Sequence, residues 1–246
     1  MPGNIEDDGE TVEGAAFTYR HIRSPLPPRF TVIALHGSGT DETTIVPLAR
    51  AIAPDATVIA PRGRIDQNGE RRWFRKLSPT SFDQKDIRIE AAAFAGFMDG
   101  LRRDGKIGTT ENTLVVGYSN GGNLASSVML LHPGRIQHLV LLRCMPVLKR
   151  APMTDLSGRR ALVVAGSEDQ TYGPYAGKLA NLLRRRGATV ARISWPSRPV
   201  TDPEPSALGA SKPLHNQATA AWQSWSATSV SRKPAIGVAM MIRSAP

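Results

Sequence analysis

Gly117-Tyr118-Ser119-Asn120-Gly121 sets a serine between glycines placed two residues before and two residues after it. The apolar run TLVV precedes this motif and the helical pattern NGGNLASSVMLL follows it. A serine at a strand-to-helix turn sits on a strained corner, and flanking glycines remove the side chains that would collide there. Its hydroxyl then projects at the carboxyl edge of a sheet, over the positive end of a helix, where it can act as an acyl-transfer nucleophile.

Such chemistry needs N–H donors aimed at the developing oxyanion. The backbone of Asn120 supplies one. A second is expected from LHGSGTDE, the segment after FTVIAL, where Gly37 and Gly39 let the N–H of Ser38 approach a substrate. His36, directly after that strand, reads as a residue that holds the loop by hydrogen bonds rather than as a base. The acid of a triad should follow the nucleophile in the chain, at the end of a later strand. Asp169 does so, four residues beyond ALVVA, with Glu168 beside it as a second match.

The elements that must position these residues are legible as short apolar runs alternating with helical patterns. Residues 30–35 (FTVIAL), 56–60 (ATVIA), 113–116 (TLVV), 138–142 (HLVLL), 161–165 (ALVVA) and 189–193 (TVARI) read as strands. Their near-continuous hydrophobicity predicts a parallel sheet covered on both faces. Residues 17–21 offer an extra edge strand. Asp83 can cap a helix whose Ile87, Ala91, Phe94, Met98 and Leu101 recur at helical spacing and which ends near Gly105. Residues 120–131 form a second helix, and residues 174–186 a third, with proline at its start and Gly187 past its end. Single helices between strands imply right-handed βαβ units in a doubly wound sheet.

Composition narrows the function classes. The 246 residues are 41% apolar and 21% charged, the profile of a globular domain. The start, MPGNIEDDGETVEG, lacks the basic and apolar regions of a secretory signal, and no apolar stretch is long enough to span a membrane. A cytoplasmic location without membrane insertion is therefore expected. Cys144 is the sole cysteine and, at the end of an apolar strand, reads as inert. The net charge of +10 raises nucleic-acid binding. The basic residues are scattered pairs such as Arg102-Arg103 and Arg159-Arg160, with no aromatic platform or helix-turn-helix pattern, so no nucleic-acid partner is expected. Oligomeric state is not encoded legibly.

These segments resemble the carboxylesterase/phospholipase branch of the α/β-hydrolases, small lidless serine esterases that include acyl-protein thioesterase-like members. LHGSGTDE is similar to the family's oxyanion segment, and APRG with GERRWF to a stretch bearing a Trp-Phe pair near the acyl pocket. GYSNGGNLASSVMLLHP and LVLLRCMPV resemble its elbow and next strand, and AGSEDQTYGPYAGKLANLLRRRGATV its acid loop and helix. The resemblance covers about residues 30–194 in order. It implies the α/β-hydrolase fold without a lid domain and a Ser-His-Asp mechanism on a small-molecule ester, with no metal and no organic cofactor. Thioesters and lysophospholipids are further substrates it allows. By the same resemblance Ser119 is the nucleophile, Asp169 orients the base, Ser38 and Asn120 are oxyanion donors, and Trp73 and Phe74 line the acyl site. From the residues alone, core packing of Trp73 and Phe74 is an equal reading.

The family's pattern then requires a Gly-His a few residues past TVARISW. Ser197-Arg198-Pro199-Val200-Thr201 stands there instead. In one reading His215, the only histidine after Asp169, serves as base ahead of a helix carrying Trp222 and Trp225. In the other, the reading frame has shifted, because Pro-Val-Thr encoded as CCG-GTC-ACN contains GGT-CAC, which reads Gly-His. A hydrolase fold with impaired or no catalysis is the alternative function. The expected organisation is a flexible N-terminus (1–16), a hydrolase domain (17–195) and an atypical, poorly ordered Pro/Ser-rich segment (196–246) with seven prolines and eight serines.

Overall fold

The computed structural model describes residues 9–24, 30–167 and 169–195. Its central sheet has eight strands in the order β1-β2-β4-β3-β9-β10-β11-β12. These are β1 (Glu10–Glu13), β2 (Thr18–Ile22), β3 (Thr31–Leu35), β4 (Thr57–Pro61), β9 (Thr113–Tyr118), β10 (His138–Leu142), β11 (Arg160–Gly166) and β12 (Thr189–Trp195). Strands β3, β4 and β9 to β12 run parallel, while β1 and β2 are antiparallel additions at one edge. Two small hairpins, β5 (Ile65–Gln67) with β6 (Glu70–Arg72) and β7 (Lys76–Ser78) with β8 (Ser81–Phe82), lie between β4 and the next helix. The helices are α1 (Val46–Ile52), α2 (Gln84–Arg103), α3 (Asn120–Leu131) and α4 (Gly173–Arg184).

The alternation of side chains along each strand divides the interior into two cores. Ile33, Leu35, Val115, Leu139, Leu141 and Val163 face α2, α3 and α4. Val32, Ala34, Val116, Val140 and Leu162 face the other side, where Val46, Leu48 and Ala49 of α1 pack. The expected mostly parallel, doubly wound sheet with helices on both faces is thus what forms.

Local signals explain the helix ends. The Asp83 carboxylate accepts from the N–H groups of Lys85 (2.8 Å) and Asp86 (3.1 Å), capping α2 as its sequence predicts. Gly105, with φ 66°, then turns the chain out of that helix.

The sheet begins earlier than expected. Strand β1 lies inside the stretch read as a flexible N-terminus, because Glu10–Glu13 pairs with Thr18–His21 of β2. The Glu13 carboxylate accepts from the Thr18 hydroxyl (2.6 Å), and the Arg20 guanidinium donates to the Thr11 hydroxyl (2.9 Å). Exposed polar pairs carry this strand, so no apolar run announces it. Residues 196–246, His215 among them, lie outside the described residues.

Candidate active site

Four functional segments emerge at the carboxyl ends of four adjacent parallel strands, β3, β9, β10 and β11. Open α/β sheets bind ligands at that edge. Ser38 follows β3, Ser119 follows β9, Arg143 follows β10 and Asp169 follows β11.

Ser119 is the corner itself. Its backbone adopts φ 51° and ψ −116°, a region that non-glycine residues avoid. The surroundings hold it there: the Ser119 N–H donates to the Leu142 carbonyl (2.8 Å), and the Ser119 carbonyl accepts from the Asn123 N–H (2.9 Å). The flanking glycines are required by contact. A Cβ on Gly121 would stand 2.4 Å from the His36 carbonyl oxygen, and one on Gly117 would stand 2.4 Å from the Gly122 Cα. The chain can therefore turn only where the motif places glycine.

The loop after β3 crosses beside the elbow. His36 is fully buried, and its ring takes a fixed tautomer by hydrogen bonding. Nδ1–H donates to the Gly37 carbonyl (2.7 Å), and Nε2 accepts from the Gly63 N–H (2.9 Å). Burial holds its pKa down at about 4, so the ring is neutral near pH 7. This is the loop-holding role expected for it. The Gly39 N–H is engaged by the Arg71 carbonyl (2.9 Å), while the Ser38 N–H has no protein acceptor among the described residues. The Asn120 N–H belongs to the first turn of α3, where backbone donors lack helical acceptors. Both donors expected at the oxyanion position are thus uncommitted and adjacent to Ser119.

Asn120 has a second job. Its Oδ1 accepts from the Trp73 backbone N–H (2.7 Å), and the Trp73 indole N–H donates to the His36 carbonyl (2.9 Å). Trp73 thereby ties the loop after β3 to the elbow. Its side chain does not border the cavity above Ser119. Trp73 and Phe74 are both fully buried, Trp73 against Phe17 and Phe94 (ring centroids 6.0 and 6.1 Å) and Phe74 against Phe82 (5.4 Å). Both rings pack in the core, where groups this large gain most from removal from water, and neither borders the cavity above Ser119.

The space above Ser119 is a cavity of about 190 Å³ bordered by Ser38, Thr40, Arg72, Lys76, Phe82, Tyr118, Asn120, Arg143 and Tyr172. Asp169 stands behind Arg143. Its Oδ2 accepts from Arg143 Nε (2.8 Å), and its Oδ1 accepts from the N–H groups of Thr171 (3.2 Å) and Tyr172 (2.9 Å). The Arg143 guanidinium also lies over the Tyr172 ring (4.5 Å). Burial opposes its charge, but Tyr118 and Asp169 outweigh that and hold its pKa above the ordinary value.

Sequence reasoning missed Arg143, Arg72 and Lys76. Arg143 did leave a signal, a single cation ending the apolar run HLVLL at the sheet edge that carries ligands. Arg72 and Lys76 sit in short polar hairpins without periodicity. Cys144 is fully buried beneath the elbow, its Sγ 3.2 Å from the Leu142 carbonyl oxygen, and burial raises its pKa, which fits the inert reading. No cluster of His, Cys, Asp and Glu suited to a metal occurs among the described residues.

A doubly wound sheet with a strained serine between strand and helix and free donors beside it defines the α/β-hydrolase class. No family model matches the chain. Over 181 residues it is 30% identical to "Putative hydrolase MhqD" of Bacillus subtilis (strain 168), a match spanning 72% of this chain and 88% of that protein. A carboxylesterase from Mesorhizobium loti shares 48% identity at a TM-score of 0.74, over 77% of this chain and 90% of its own. The Bacillus cereus carboxylesterase, 24% identical over 87% of this chain and 94% of its own, shares the fold at a TM-score of 0.70. The chain belongs to the α/β-hydrolases and is a carboxylic ester hydrolase.

Proposed function

We propose that this ester hydrolase cleaves small carboxylic esters through an acyl-enzyme on Ser119. The observation that carries the reading is the strained elbow, which presents the Ser119 hydroxyl to a cavity bordered by Ser38 and Asn120. In the reaction, Ser119 Oγ attacks the acyl carbon as a base removes its proton. The backbone N–H groups of Asn120 and Ser38 receive the oxyanion. Collapse expels the alcohol, which takes the proton, and water then releases the acid by the same steps. Small carboxylic esters are the proposed substrates; thioesters and lysophospholipids with accessible acyl groups fall within the same chemistry.

His215 is the proposed base, and Asp169 its orienting partner. The Asp169 carboxylate has about four acceptor positions, of which three are occupied, so an imidazole N–H could still dock on Oδ2 beside Arg143. The alternative, a hydrolase fold with impaired catalysis, draws support from that same Arg143 contact, which already neutralises the acid. The protein is proposed to act in the cytoplasm on small molecules, without a nucleic-acid partner.

Labelling with a fluorophosphonate probe separates the readings. Active protein should label at Ser119 and hydrolyse p-nitrophenyl acetate or butyrate. Ser119→Ala should lose both, with turnover falling by several orders of magnitude. Loss of labelling in His215→Ala assigns the base; retained labelling removes His215 from the mechanism. Background hydrolysis and no labelling in the unaltered protein would favour the impaired reading.

A further inference from the structure

The rim of the Ser119 cavity carries a surplus of positive charge. Arg72, Lys76 and Arg143 border it, and Glu70 is the only carboxylate on its lining among the described residues. Arg72 pairs with Glu70 and also donates from Nη1 to the Ser38 hydroxyl (2.9 Å), which fixes the guanidinium beside the loop after β3. Arg143 pairs with Asp169. Lys76 makes no ion pair among the described residues, yet its backbone is held on both sides. Its N–H donates to Gln67 Oε1 (2.9 Å), and its carbonyl accepts from Gln67 Nε2 (2.8 Å).

A half-enclosed cavity with a surplus of one sign of charge concentrates field on whatever enters.

We propose that this cavity selects esters bearing a carboxylate, with Lys76, the rim cation without an ion pair among the described residues, receiving the anion. The cavity, about 190 Å³ and open to solvent on one side, has room for a short acyl or alcohol fragment ending in a carboxylate. Guanidinium and ammonium groups recognise carboxylates by charge-assisted hydrogen bonds, which are stronger than neutral ones. This names the substrate class of the Ser119 site and rests on that assignment.

The test measures binding apart from turnover. Succinate and its neutral diamide, succinamide, are titrated calorimetrically into full-length Ser119→Ala protein. Succinate should bind about tenfold more tightly than succinamide, and Lys76→Gln should remove that advantage. Arg103→Gln, an equal charge change at the exposed end of α2, should leave it intact. Equal affinity for the two probes, or an equal effect of Arg103→Gln and Lys76→Gln, overturns the subsite. Turnover of 4-acetoxybenzoate against 4-acetoxybenzamide completes the test, with the ratio of their kcat/KM values expected to fall toward one in Lys76→Gln. Lys76-dependent succinate binding without turnover of either ester would sink the Ser119 chemistry and leave the subsite standing. Turnover of both esters at one rate, with charge-blind binding, would do the reverse.

Discussion

His36 shows how one side chain can govern the loop beside the nucleophile without taking part in the chemistry. It is neutral because it is buried, and its two ring nitrogens pin Gly37 and Gly63. In the unfolded chain the ring protonates near 6.5, whereas in the fold it resists protonation down to about 4. Stability from this group is therefore complete above pH 6.5 and drains away as pH falls toward 4, a loss on the order of 3 kcal/mol over the window. Urea denaturation between pH 6.5 and 5 should report declining midpoints in the unaltered protein and a flatter profile in His36→Asn. Parallel profiles would remove His36 as the cause. Its loop-holding role was legible because a histidine directly after a strand has backbone groups within reach. Arg143 was not legible in the same way. Its meaning depends on β11 delivering Asp169 beside it, a juxtaposition that no spacing in the chain encodes.

Among the elements, the elbow is the most fully written into the sequence, since steric exclusion dictates where glycine must fall. Gly122 makes the point with numbers. A Cβ there would lie 2.3 Å from Cys144 Sγ and 2.6 Å from the Gly117 carbonyl oxygen. Gly122→Ala should cost about 3 kcal/mol through forced separation of α3 from β9, read as a lowered urea midpoint with activity lost in parallel. A midpoint within about 0.5 kcal/mol of the unaltered protein would contradict the packing described. The buried strands were legible from continuous apolar runs, and α2 from its cap and periodicity. The hairpins β5–β6 and β7–β8 and the short α1 were not, because two or three polar residues per strand carry no period. The Trp73-Phe74 pair lies just past the first hairpin, and only tertiary packing distinguishes a core ring from a pocket wall.

At the scale of the whole molecule, the six parallel strands bring residues 38, 119, 143 and 169 to a single edge although 131 positions separate the first from the last (169 − 38). That convergence was legible in outline, since a right-handed βαβ succession leaves little choice of topology. The antiparallel edge was less so: β1 has one apolar residue, Val12, among three exposed polar ones, a pattern that sequence does not separate from loop. The charge of +10 was legible as a number but not as a distribution; the cations around the Ser119 cavity come from two separate segments, Arg72 and Lys76 from one and Arg143 from the other.

Beneath the elbow, Cys144 offers a way to watch the fold come apart. Its sulfur is sealed by the carbonyls of Leu142, Ser119 and Gly117, and the chain contains no other thiol. A colourless disulfide reagent that releases a chromophore should therefore leave the native protein unmarked and count openings one molecule at a time. At high reagent the modification rate should level off at the rate of unfolding itself. A rate that keeps climbing with reagent and exceeds what the global unfolding equilibrium allows would mean the seal breathes locally, and that the corner bearing Ser119 is looser than its contacts imply.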